Sequence, residues 1–418
     1  MLSLFELVAM LLVITTAFAY LNHRFIRLPV NIGLLVMGLG ASLLLIGLEF
    51  LFPSTPLYGA VAATIRQIDF YDAVMNGMLA FLLFAGALHV DLGRLRSRAA
   101  PVGMLATFGV LISMLIAGAG LWLAARALGT PLDFAWALVF GALIAPTDPV
   151  AVLSTLKAVN VPEALETEMS GEALLNDGVG VVLFTIALQF ATGPDETVGI
   201  LPIAELLLVE AGGGALLGLA TGYVAYRAMR SIDDYAIEVM ISLALVTGTY
   251  ALATALHMSG PIAVVVAGVL IGNRGPRFAM SDITQRYVFG FWTLVDDILN
   301  AILFLLIGLE VLVVHFAPTF AGLALIAIPL VLAARFISVA GPVLVLQHWQ
   351  SFGRGTVPVL TWGAVRGGIS VALALSLPDS PARPLILDAT YAVVLFSVVV
   401  QGLSLGRVVR RVVPKASH

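Results

Sequence analysis

The chain has 418 residues, 60% of them hydrophobic and 11% charged, with a formal net charge of −4. Together with a mean hydropathy of +1.05, these proportions exclude a soluble domain of ordinary composition, and without a polybasic arm no nucleic-acid partner is expected. The absence of cysteine removes disulfides and thiolate metal sites.

A helix crossing the hydrocarbon core needs about 20 apolar residues, and thirteen runs in the sequence approach that length. The first five are Leu4 to Tyr20, Leu28 to Leu51, Tyr71 to Val90, Pro101 to Ala125 and Leu132 to Leu156. Met169 to Ala191, Leu201 to Ala228, Tyr235 to Leu256 and a short Met258 to Gly272 follow. Phe289 to Val314, Ala317 to Leu346, Thr356 to Leu377 and Pro384 to Leu405 complete the set. The first run has neither a basic leader nor a small-residue cleavage site, so it is expected to stay as a span.

Basic residues fix an expected orientation. With the N-terminus outside, the loops on the cytoplasmic side hold sixteen of the 21 basic residues, among them Arg24, Arg94, Arg98, Arg227, Arg274 and Arg407. The opposite side holds only Arg66, Arg126 and Arg383, and Arg335 and Arg366 lie within spans. This segregation predicts thirteen spans in the plasma (inner) membrane with the C-terminus cytoplasmic.

Two spans are interrupted. The fifth contains Ala145-Pro146-Thr147-Asp148-Pro149, where prolines remove backbone donors and clash with preceding carbonyls, so the helix opens. The twelfth contains Gly363-Ala364-Val365-Arg366-Gly367-Gly368. An offset of seven spans means that the two run in opposite directions, as an inverted repeat of spans one to six on spans eight to thirteen requires. Proline and glycine kinks in membrane helices need no function. A charge at each break, combined with the repeat relation, favours a transporter's binding site near the midplane.

The sixth span carries Gly171-Glu172-Ala173-Leu174-Leu175-Asn176-Asp177-Gly178, and ionisable groups at that depth are functional by default. Glu172 and Asn176 share one helix face, and Ala173 and Asp177 the next. Arg335 lies in the eleventh span, where an unpaired guanidinium costs about 3 kcal/mol on insertion scales, and Glu172 is its expected partner. Asp177 is then left as the group that takes a proton or a monovalent cation in turn. Carbonyls near Thr147 and the side chain of Asp148 can add oxygens, although Asp148 is also read as a cap on the broken helix. Arg366 is expected to balance a helix terminus at its break. In the tenth span, Asp296, Asp297 and Glu310 are read as polar groups near a membrane interface, and Asn300 as a hydrogen-bonding group between helices. The six histidines, at 23, 89, 257, 315, 348 and 418, fall at span ends or in loops, and no H-E-x-x-H metal motif occurs.

Four segments, Gly141 to Val152, Gly171 to Gly178, Ala334 to Val339 and Thr361 to Ser370, together with the span count, resemble the NhaP/NHE type of monovalent cation/proton antiporters. The resemblance covers nearly the whole chain. It implies an all-α membrane protein with an inverted repeat and two interrupted crossing helices, in the manner of the NhaA/NhaP antiporter fold. It further implies a homodimer in lipid, in which a transport bundle (99–192 and 317–412) moves against a dimerisation domain (1–98 and 193–316), with a short cytoplasmic tail at 413–418. Na+ is the implied cation, with Li+ or K+ as alternatives, and H+ is exchanged for it without a cofactor or an enzymatic step. By that pattern Asp177 carries the ion and the proton, Thr147 and Asp148 lie at the unwound crossing, Asn176 supports the site, and Glu172 pairs with Arg335. The Asn176-Asp177 pair resembles the electroneutral class. Two departures stand out: Ala85 occupies a position where the family commonly has Glu, and Ala173 one where it often has Ser. A K+/H+ exchanger, a gated channel and a non-transporting sensor are the competing readings, and Gly212, Gly213, Gly214 and Gly218 are offered as a dimer contact.

Overall fold

The structure, a computed structural model, describes residues 3–52, 57–65, 67–148, 161–193, 208–312, 318–353 and 355–413. Every described element is helical. Pro149 and the rest of the fifth span, the first seven residues of the seventh, and His315 lie outside the described residues.

Among the described residues, each of the thirteen runs carries helix, the fifth as far as Ile144 and the twelfth in two pieces. Ten helices among the described residues are long and apolar enough to cross a bilayer. The other three spans are the two broken ones and Gly260–Phe278. Large apolar side chains cover the outside, Phe50 at 86% and Leu216 at 70% exposure being examples, which is the surface that an acyl-chain solvent requires. The chain is an integral membrane protein. A short helix that the sequence did not announce, Leu57–Ile65, follows the second span.

Two helices begin well before the apolar run that marks them. Ser281 caps Asp282–Glu310 by accepting from the Thr284 amide, so the tenth span gains two turns of polar helix ahead of Phe289. As a result Asp296 sits at the middle of a 29-residue helix. The sixth span likewise begins at Glu163, with Pro162 preceding it, and runs to Thr192.

The seventh span, Leu208–Met229, packs tightly on the ninth. A Cβ at Gly214 would fall 2.6 Å from the carbonyl oxygen of Ser259, and one at Gly218 2.9 Å from the carbonyl carbon of Ala263. Both glycines therefore serve contact within the chain, so the suggestion that they form a dimer contact is corrected.

The crossing of the two broken helices

The fifth span is helical over Phe134–Ile144 and opens at Ala145. In the twelfth, Thr356–Trp362 gives way to a non-helical Gly363 to Gly367 before Gly368–Leu375 resumes. The openings meet. Asp148 donates its backbone N–H to the carbonyl of Val365 at 2.7 Å. Gly367 lies so close to Asp148 that an added Cβ would fall 2.7 Å from the Asp148 Cβ. Pro146 in turn rests on Gly180 of the sixth helix, where an added Cβ would be 3.0 Å from the proline Cδ.

A helix that stops in the membrane leaves carbonyls without intrahelical donors, and no water is at hand to replace them. Two arginines serve this purpose. Nη1 of Arg366 donates to the carbonyls of Ala145 at 2.7 Å and Pro146 at 2.8 Å, at the negative end of the Phe134–Ile144 dipole. Arg335 donates Nε and Nη2 to the carbonyl of Leu360, both at 3.3 Å, near the C-terminus of Thr356–Trp362. The remaining reach of Arg335 goes to Glu172, bidentate at 2.5 and 2.9 Å. Both partners are almost fully buried, at 4% and 1% exposure, so the pair ties the eleventh helix to the sixth without a net charge.

The thirteenth span braces the second break. Ser397 accepts the Arg366 amide N–H at 3.0 Å, and Gln401 Nε2 donates to the carbonyl of Trp362 at 2.9 Å. These residues sit on a widened π-type turn, Ser397–Gln401, a local irregularity common at functional sites.

Around the crossing, Asn176 Nδ2 donates to Thr147 Oγ1 at 2.8 Å. That bond directs the amide, and its oxygen, Oδ1, is buried with no hydrogen-bond partner among the described residues. A buried carbonyl-type oxygen lacking a donor is an unmet acceptor that a cation satisfies. Asp177 follows on the next face, partly exposed, and accepts no hydrogen bond from a described residue, while Asp148 is close enough for the two charges to act on each other. The structure thus brings Asn176 to Thr147 and Asp177 within electrostatic reach of Asp148. Glu172 and Arg335 form a separate pair nearby, and Arg366 lies on the carbonyls of the first break. Ala85 and Ala173, at 1% and 3% exposure, bring no side-chain oxygen.

Three participants went unseen in the sequence: Ser397, Gln401 and Glu168. Glu168, 2% exposed, lies 3.4 Å from Arg98, which also donates to the carbonyl of Ser351 at 3.0 Å. Its i to i+4 relation to Glu172 was the available signal. Among the described residues, no three His, Cys, Asp or Glu side chains form a metal cluster.

Two half-helices crossing within a membrane bundle, with carboxylates and an unmet oxygen at the crossing, define an ion-coupled secondary transporter. Comparison with known proteins agrees. The family described as "Sodium/hydrogen exchanger, transmembrane" matches residues 11–411, and the chain belongs to that family. It is 48% identical over 413 residues to the Na(+)/H(+) antiporter NhaP of Pseudomonas aeruginosa, covering 97% of this chain and 96% of the relative. It is 37% identical to the Na(+)/H(+) antiporter NhaH of Halobacillus aidingensis over 374 residues, which is 88% of this chain and 91% of that one. Its fold is that of the sodium proton antiporter MjNhaP1 from Methanocaldococcus jannaschii, with a TM-score of 0.75 at 21% identity, over 98% of this chain and 99% of the other.

Proposed function

We propose that this protein exchanges Na+ for H+ across the membrane by alternating access, with Asp177 as the shared carrier. The observation that carries the reading is the placement of Asp177 beside Asp148 and the unpartnered Asn176 Oδ1 at the meeting point of the two breaks. One carboxylate claimed by a proton or by a cation, never both, couples the two fluxes when the site faces each side in turn. Oxygens of Asp148, Thr147 and Asn176 stand in for part of the water that Na+ sheds. Asn176 contributes no charge, so a one-for-one, electroneutral exchange follows.

The moving unit in this proposal is 99–192 with 317–412, held together by the Glu172–Arg335 pair and the two arginine caps. Residues 1–98 and 193–316 form the stationary scaffold and the contact of a homodimer, in the plasma (inner) membrane with the N-terminus outside. Na+ and H+ are cargo, and no cofactor takes part. K+ exchange on the same scaffold is a second reading, favoured by the buried methyl groups of Ala85 and Ala173 where an oxygen would help strip a tightly hydrated ion.

Purified protein in sealed vesicles, assayed for proton movement driven by Na+, Li+, K+ and Rb+, tests both. Wild type is expected to respond to Na+ and Li+, and Asp177→Asn to none while remaining folded. Retained exchange in the variant removes Asp177 from its role, and a response to K+ alone establishes the second reading.

A further inference from the structure

The tenth helix, Asp282–Glu310, belongs to the scaffold half of the chain, yet it touches the crossing. Leu303 packs on the second break, where a Cβ at Gly368 would lie 2.7 Å from the leucine Cδ2. Trp292 of the same helix packs at a tilt against Phe84 of the third span with ring centroids 4.7 Å apart. Residues 292, 296, 300 and 303 fall on one helical stripe, so the face that meets the crossing also presents Asp296 and Asn300.

Asn300, 2% exposed, donates Nδ2 to Asp296 Oδ1 at 3.0 Å. One carboxylate oxygen is thereby oriented, and the other accepts nothing from a described residue. No basic side chain pairs with Asp296 among the described residues. Instead it lies within electrostatic reach of Asp148, across the boundary between scaffold and transport bundle. Like charges near one another at low dielectric favour a cation or a proton beside them. The buried, unpartnered Asn176 Oδ1 independently indicates a missing cationic partner at the same crossing.

From the stripe that joins Asp296 to the second break, and from its orienting bond to Asn300, we infer that Asp296 is a further cation-recognition residue, a scaffold-side carboxylate that draws the alkali cation toward Asp148 and Asp177. The inference rests on the exchange proposed above. Because Asp296 sits on the scaffold and Asp148 on the moving bundle, their approach belongs to one orientation of the transporter. Asp296 therefore sets the affinity for the cation on that side.

The full chain in vesicles tests this through the Na+ concentration giving half-maximal exchange at fixed pH. Asp296→Asn is expected to raise it about tenfold, with the maximal rate held within about twofold. Asp296→Glu, which restores the charge, is expected to stay within about threefold of wild type, and the exposed neighbour Asp297→Asn to match wild type. An unchanged half-saturation in Asp296→Asn overturns the inference, as does an equal rise in Asp297→Asn. Should Asp296→Asn fail to assemble, wild-type protein is labelled with a carbodiimide and Asp296 is read by peptide mass spectrometry. Protection by Na+ over the range that half-saturates exchange supports the assignment, and labelling indifferent to Na+ overturns it. Exchange that is lost in Asp177→Asn but unaltered in Asp296→Asn defeats this inference alone, whereas exchange that survives in Asp177→Asn defeats the parent reading.

Discussion

The backbone N–H of Asp148 donates to the carbonyl of Val365 at 2.7 Å, and this bond joins the two interrupted helices at the point where each has lost its own ladder. Helix breaks in a bilayer survive only when their orphaned groups find partners inside the protein. Here the partners are mutual, and Arg366 completes the set by donating to Ala145 and Pro146. The crossing is thus a single hydrogen-bonded unit, and its side-chain oxygens sit on a braced frame.

Arg366→Lys is expected to lower thermal stability in detergent and to reduce exchange by at least about tenfold, since one ammonium does not reproduce a planar guanidinium set on two carbonyls. Arg366 is 1% exposed, so Arg366→Ala leaves the carbonyls with nothing and is expected to be worse. A lysine variant with wild-type melting temperature and rate contradicts this account of the cap.

Breaking the Glu172–Arg335 pair leaves a buried charge alone, at a cost of about 3–5 kcal/mol. Either Glu172→Gln or Arg335→Gln is expected to depress the melting temperature strongly, and the double variant to regain part of the loss. Recovery in the double variant is the informative comparison. If the double variant is as unstable as the sum of the singles, the two side chains do not act as a pair.

Thr147→Val removes the hydroxyl that accepts from Asn176 Nδ2 at 2.8 Å. A buried amide donor left unsatisfied costs about 1–3 kcal/mol, and Asn176 is free to turn its oxygen away from the site. The expected result is a higher Na+ half-saturation concentration with a smaller change in maximal rate, while Thr147→Ser stays near wild type. Equal behaviour of the valine and serine variants rules out the positioning role.

Competition on one carboxylate also fixes the sign of the pH response. Below the pH at which Asp177 releases its proton in the cation-free protein, each further unit of acid is expected to raise the Na+ half-saturation concentration by about tenfold. Maximal rate at saturating Na+ changes less. Flux titrations at several pH values check this, and a half-saturation independent of pH throughout excludes a shared site.

Outside the membrane, the Asp91 carboxylate accepts from the amides of Gly93 and Arg94 at 2.7 and 3.1 Å, which holds its pKa below the ordinary aspartate value. A depressed folded-state pKa contributes stability above the unfolded value and loses it as pH falls through the folded one. The protection factor of the Leu92–Ser97 amides, their exchange relative to the intrinsic rate at each pH, is therefore expected to fall in acid for wild type, and Asp91→Ala to show low protection at every pH.

Much of this architecture could be read from the chain. Long apolar runs, the bias of basic residues, Pro146 and the Gly363 to Gly368 run are local signals, each tied to a one-dimensional rule about spanning, insertion or helix propagation. Glu172 and Arg335 could be paired on paper because two buried opposite charges need each other. The start of the tenth helix could not be placed, because hydropathy marks where a helix is apolar and not where its cap begins. Only with Ser281 as the cap does the helix start at Asp282, two turns ahead of the apolar run. The glycines of the seventh span had two possible partners, a second copy or the ninth span, and sequence offers no preference between them.

The sequence by itself determined that this is an all-helical, many-span membrane protein with openings in two spans and a small set of ionisable groups within them, since the cost of exposing polar atoms to lipid is paid residue by residue. Which groups face one another was decided by tertiary structure. Arg366 lies on the carbonyls of Ala145 and Pro146, Asp148 beside Gly367 and within reach of both Asp177 and Asp296. Such neighbours are separated by long stretches of chain, and only packing, which acts through space, brings their charges and lone pairs within reach.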